Sequence, residues 1–102
     1  MLNYTDEFNK IHNHCISGKS SDIDSVMEKL NSADLPTTRA VDFYLGIVEH
    51  PEGIERINYY LFNGTQIQRN YSTLYLARRN EWKKVNKAFQ LGLIDAVQAY
   101  SR

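Results

Sequence analysis

The sequence predicts an α+β fold, mainly helical, with three N-terminal helices, a two-stranded β-hairpin and a C-terminal helix. Three observations predict it. Apolar residues recur at helical spacing from Phe8 to Val48; the pattern then alternates from Ile54 to Leu76 around Asn63-Gly64; helical spacing returns after Arg79. With 102 residues, of which 42% are hydrophobic and 24% charged, the chain is long and apolar enough for one domain with a single modest core.

The first helix is expected to begin at Thr5, whose hydroxyl can cap, with Asp6 and Glu7 favourably placed at the positive end of the helix dipole. Phe8, Ile11, Cys15 and Ile16 form its inner stripe, and Gly18 ends it. A second helix starts at Ser20 or Ser21 and buries Ile23, Val26, Met27 and Leu30, spaced i, i+3, i+4, i+7. Pro36 suits the start of a third, capped by Thr37 or Thr38, with Val41, Tyr44, Leu45 and Val48 inward and Pro51 and Gly53 closing it. These last two helices, about 20–50, have the outline of a helix-turn-helix.

Asn-Gly is the strongest two-residue hairpin signal, because both residues tolerate the positive φ angles of a type I′ turn. A turn at Asn63-Gly64 pairs Phe62 with Thr65, Tyr60 with Ile67 and Asn58 with Arg69 in a hairpin over about 55–76. Neither face is purely apolar near the tip, so the hairpin is expected to project into solvent. Asn80 then caps a helix over about 80–100 whose stripe, from Trp82 through Val85 and Phe89 to Val97 and Tyr100, bends or splits at Gly92. That stripe is long for one small core, which points to contact with a second copy of the chain.

No apolar run approaches the ~18 residues of a membrane span, and the N-terminus does not read as a signal peptide. The single Cys15 has no internal disulfide partner, which suits a reducing, cytoplasmic setting. His12, His14 and Cys15 are close in sequence, but a helix points the two histidines to different faces, so neither a metal nor any other cofactor is expected. Gly-rich phosphate loops, G-x-S-x-G and H-E-x-x-H are missing, and the carboxylates are scattered; the chain does not read as an enzyme.

Net charge is zero, yet charge is unevenly distributed. Residues 1–35 carry three Lys against six Asp/Glu, whereas residues 56–87 carry seven Lys/Arg against Glu81 alone. This is the electrostatic footprint of a polyanion-binding surface.

The stretch from Thr37 to Val85 resembles the winged helix-turn-helix family in its order of recognition helix, tight corner, wing strands and following helix. Within that family the size and polar wing are similar to small relaxosome-associated proteins of conjugative plasmids. The resemblance implies a homodimer that binds double-stranded DNA at paired sites, at an origin of transfer or a promoter, alongside other plasmid-transfer proteins. The third helix departs from the family by carrying only Arg39 as a cation beside Asp42, Glu49 and Glu52.

The wing is therefore expected to carry base contact. Asn58, Asn63, Thr65, Gln66, Gln68 and Asn70 offer neutral donors and acceptors, and Tyr60 offers a stacking ring. Arg39, Arg69, Arg78, Lys83 and Lys84 offer cations to phosphates, and Arg69 could also pair with guanine. Two alternatives stand beside this reading. The basic hairpin could bind an acidic protein surface, making the chain a non-enzymatic adaptor. A later helix-turn-helix could instead place Trp82–Gln90 as the recognition helix, with Gly92–Asp95 opening a strand.

Overall fold

Helices alone account for the regular structure of the described residues in the computed structural model, which describes residues 4–31 and 34–100. They are α1 (Tyr4–Ser17), α2 (Ser20–Asn31), α3 (Leu35–Leu45), α4 (Pro51–Asn63), α5 (Gln66–Arg78), α6 (Trp82–Gln90) and α7 (Ala96–Tyr100). The chain divides into two compact units, residues 1–56 and 57–102, and the boundary falls within α4. None of these helices is long and apolar enough to cross a membrane.

In the first unit α1, α2 and α3 pack on one another. Ile11 and Cys15 from α1, Ile23, Val26, Met27 and Leu30 from α2, and Val41 and Leu45 from α3 are buried. Burial of each large aliphatic side chain contributes roughly 1.5–3 kcal/mol. Three residues of the expected stripes behave differently: Ile16 is 59% exposed, and Phe8 and Tyr44 are half-buried, the Tyr44 ring 5.1 Å from that of His12.

The cap of α3 is Asp34, whose carboxylate accepts from the Thr37 amide at 3.0 Å; Thr37 and Thr38 are buried inside the helix. Gly18 ends α1 with φ +66, and a Cβ there would lie 2.6 Å from the His50 Cβ. Pro51 opens α4 rather than closing α3, occupying a position where a helix needs no N–H. Gly53 lies within α4, where a Cβ would meet the Gly18 carbonyl oxygen at 2.7 Å. The α2 carboxylate Asp24 takes two hydrogen bonds from Arg56, and the Glu52 carboxylate accepts from the Ser20 amide at 2.6 Å.

The α+β class and the β-hairpin wing are overturned. Residues 55–76 form most of α4 and α5, and no strand occurs among the described residues. Asn63-Gly64 is a helix end rather than a strand turn. The Gly64 amide donates to the Tyr60 carbonyl at 3.0 Å, continuing the i→i−4 ladder, and Asn63 Nδ2 returns to the Tyr59 carbonyl at 3.1 Å. Gly64 is required for space: a Cβ would lie 2.8 Å from both Gln68 Cβ and the Tyr60 carbonyl oxygen.

Directly after it, Thr65 and Gln68 form a capping box, each side chain meeting the other's backbone amide. That box starts a new helix where a hairpin needs a return strand. Helical spacing also decides the burial, since Ile57 and Leu61, four residues apart, are both fully buried. The fold accordingly lacks the wing that defines the winged helix-turn-helix pattern.

In the second unit α5, α6 and α7 pack together. Tyr75, Leu76 and Ala77 of α5, Val85 and Ala88 of α6, Ile94, and Ala99 of α7 are buried. The helix expected over 80–100 is split. Leu91 and Gly92 end α6, with Gly92 at φ +75, and Asp95 and Gln98 cap α7 reciprocally at 2.8 and 3.0 Å. Gly92–Asp95 is a turn, not a strand.

Candidate nucleic-acid interface

The corner between α4 and α5 gathers most of the residues assigned to the wing tip, and nearly all of them serve the corner itself. Thr65 caps α5, and Gln68 is 5% exposed with its amide oxygen on the Thr65 N–H. The Arg69 guanidinium donates from Nε to the Leu93 carbonyl at 2.9 Å, from Nη1 to the Gly64 carbonyl at 2.8 Å and from Nη2 to Gln66 Oε1 at 2.9 Å. Gln66 Nε2 donates in turn to Asn70 Oδ1 at 2.8 Å. Arg69 thereby ties the α6–α7 connection to the start of α5.

Asn58 and Tyr60 are half-buried on α4. Asn58 Oδ1 is buried without a hydrogen-bond partner among the described residues, and the Tyr60 ring meets that of Tyr59 edge-on at 5.4 Å. Arg39 is exposed on α3, at the rim of a shallow apolar groove that includes Leu35, Phe43 and Tyr44. Of the predicted wing residues, Thr65, Gln66, Gln68, Arg69 and Asn70 are drawn into one corner, Asn58 and Tyr60 lie along α4, and Arg39 belongs to the other unit.

The cations on and before α6 are arranged differently. Arg78 ends α5 and Arg79 caps it, where positive charge complements the helix dipole, and the Arg79 guanidinium lies 5.4 Å from the centre of the Tyr75 ring. A three-residue turn, Arg79 to Glu81, follows, with Asn80 at φ +63. Asparagine tolerates this left-handed backbone better than most residues.

Then α6 begins with Lys83 and Lys84 in its first turn. Glu81 occupies the N-cap without a side-chain capping hydrogen bond. Two ammonium groups therefore face the positive end of a helix dipole, an arrangement that an anion would relieve.

Along α6, Lys83, Asn86, Lys87 and Gln90 fall at i, i+3, i+4 and i+7 and line one hollow together with Leu91. Lys83, Lys87 and Gln90 are exposed and Asn86 half-buried, its Oδ1 accepting from the Tyr100 hydroxyl at 3.1 Å. No ion pair or hydrogen bond engages the ammonium groups of Lys83, Lys84 or Lys87 among the described residues. By contrast Lys29 pairs with Glu7 and Arg56 with Asp24 in the first unit.

Asn86, Lys87 and Gln90 are not among the site residues expected from the sequence, although the alternative placement of the recognition helix at Trp82–Gln90 spans them; their helical spacing from Lys83 is the signal. Charge follows the division of the chain. Residues 1–56 hold five Lys/Arg against ten Asp/Glu, net −5, and residues 57–102 hold seven against two, net +5.

Comparison with protein families, curated proteins and solved structures found no match. The assignment of a role therefore rests on the geometry.

In the first unit Cys15 and Asp22 are held by the fold. Burial pushes the Cys15 thiol up to about 12, so it stays protonated in the core. Asp22 is held below its ordinary value, first by the Ser17 hydroxyl and then by His14, whose Nδ1 lies 3.1 Å away. Among the described residues no three His, Cys, Asp or Glu side chains are grouped to hold a metal ion.

Proposed function

We propose that the chain binds double-stranded DNA through the α5–turn–α6 pair, with α6 as the helix presented to the major groove. The observation that carries this reading is the stripe Lys83, Asn86, Lys87 and Gln90, exposed at all but the half-buried Asn86, at the head of which two lysines sit against an uncapped helix start. The stripe covers seven residue steps, roughly 10 Å along the axis, comparable to three base-pair steps. Lys83 and Lys87 meet phosphate or guanine, and Asn86 Nδ2 and Gln90 offer amides suited to adenine. The major groove admits an α-helix, and helix-turn-helix proteins read it from the N-terminal part of the second helix.

This reading places the recognition element later in the chain than 20–50 and needs no wing. Arg78 and Arg79 flank the stripe as further positive charge. The net +5 of residues 57–102 favours a polyanion as the partner of this unit. A dimer on paired sites completes the reading, with the exposed Val97 of α7 at its apolar surface. Val97 is 73% exposed, so Val97→Glu should leave the fold intact and shift sedimentation to a monomer if this surface carries the dimer.

Selection from random duplexes tests base reading. Enriched sites whose preference relaxes in Asn86→Ala or Gln90→Ala, by about 1–3 kcal/mol per lost pair, support it. No enrichment and no binding at low salt would end it.

A second reading has its own observation. Leu35 and Phe43 of α3 are 61% and 70% exposed beside the apolar groove of the first unit, which favours a protein partner there. In that reading the chain is an adaptor, and DNA binding is no part of it.

A further inference from the structure

The lysines of α6 border two hollows, one on each side. The first is the polar stripe described above; the second, open to solvent, is lined by Phe62, Lys83, Lys84 and Lys87 and has a volume of about 530 Å³. Its wall is almost wholly carbon, made of the half-buried Phe62 ring and the aliphatic stems of the lysines, so the ammonium groups can stand at the rim. The volume lies within the roughly 300–1,000 Å³ of small-ligand sites.

We propose that this second hollow binds a small amphipathic anion, an alkyl or aryl group carrying a phosphate or carboxylate, and that its occupancy withdraws Lys83 and Lys87 from DNA. Charge complementarity selects the class. An apolar wall beside three ammonium groups favours an anionic head on an apolar tail and disfavours a cation or a bare hydrocarbon. Lys83 and Lys87 line both hollows, so an anion held on one side competes with phosphates for the same charges. The anion site stands on its own geometry, whereas the competition rests on the proposed DNA-binding reading.

The probe is octyl phosphate below its micelle concentration, titrated into the 102-residue chain by calorimetry and by amide NMR. We expect one site, with shifts centred on Phe62, Lys83, Lys84 and Lys87. Affinity should rise up to roughly fourfold per methylene from butyl through hexyl to octyl phosphate. Inorganic phosphate and octyltrimethylammonium should bind at least tenfold more weakly than octyl phosphate.

Phe62→Leu, which keeps an aliphatic filling should Phe62→Ala not fold, should weaken octyl phosphate severalfold. Affinity independent of chain length, or shifts centred away from Phe62, would overturn the anion site.

Displacement of a fluorescent duplex is read in parallel. Octyl phosphate should release DNA from the wild type at concentrations that fill the hollow, and should do so less effectively from Phe62→Leu. Octyl phosphate binding that leaves bound DNA in place would overturn the competition while sparing the site. Failure of the duplex to bind in the absence of octyl phosphate would instead refute the DNA reading, and with it the competition.

Discussion

Replacing Lys83 and Lys87 together by glutamine removes two positive charges from the exposed face of α6 while keeping long polar side chains. Neither ammonium has a partner among the described residues, and glutamine is nearly as good a helix former as lysine, so stability should change little. If both lysines neutralise phosphates, each contributes about 0.9 to the slope of log affinity against log salt. The double variant should therefore bind a random-sequence duplex with a slope shallower by roughly 1.8. Between about 50 and 200 mM salt, a fourfold range, that difference changes the wild-type advantage about tenfold. Fluorescence anisotropy across the salt series reads it directly. Parallel slopes, with the wild type binding, would show that these lysines do not meet phosphates and would refute the placement of α6.

Three further outcomes follow from the packing. Arg69→Ala should lower the stability of the chain by about 2–3 kcal/mol in urea unfolding, because three charge-assisted hydrogen bonds disappear and their carbonyl acceptors lose a partner; an unchanged midpoint would contradict its structural role. Ser72 is fully buried and its hydroxyl has no partner among the described residues, so Ser72→Ala should be neutral or stabilising by up to about 1 kcal/mol, and a clear loss would reveal a partner for that hydroxyl. Glu7, Asp22 and Glu52 are held below their ordinary values, mainly by Lys29, the Ser17 hydroxyl and the Ser20 amide respectively. Their stabilisation is complete above the ordinary carboxylate values of 4.5 and 3.8 and is lost as pH falls through the lowered ones, so the urea midpoint should fall on acidification in that range; a flat or rising midpoint would count against these contacts.

The helices of the first unit were legible because their signals are local and agree with one another. Ile23, Val26, Met27 and Leu30 repeat at one spacing, and all four are buried. Gly18 marked the end of α1 through a positive φ.

From Pro51 onward two local signals competed. Asn63-Gly64 is a hairpin signal when strands flank it, but Thr65-Gln66-Ile67-Gln68 is a helix start, and the capping box prevails by satisfying two amides at once. Tyrosine and isoleucine drew the reading toward strand, a preference that tertiary packing readily overrides. Ile57 and Leu61 show what replaced it: both are fully buried one helical turn apart.

The candidate site was only half legible. The surplus of cations in the C-terminal half could be counted in the sequence, but which of them are engaged could not. Arg69 and Lys83 look alike in a charge tally. A hydrogen-bonded guanidinium and an unpaired ammonium are distinguished only by the corner that Gly64, Gln66 and Leu93 build around Arg69.

Amide chemical-shift mapping with a selected duplex tests directly whether α6 faces the nucleic acid. The expected result is a contiguous set of perturbed residues at Lys83, Asn86, Lys87 and Gln90, extending to Arg78 and Arg79. Perturbations confined to α3, or to the Gly64–Arg69 corner, would place the contact elsewhere and contradict the account.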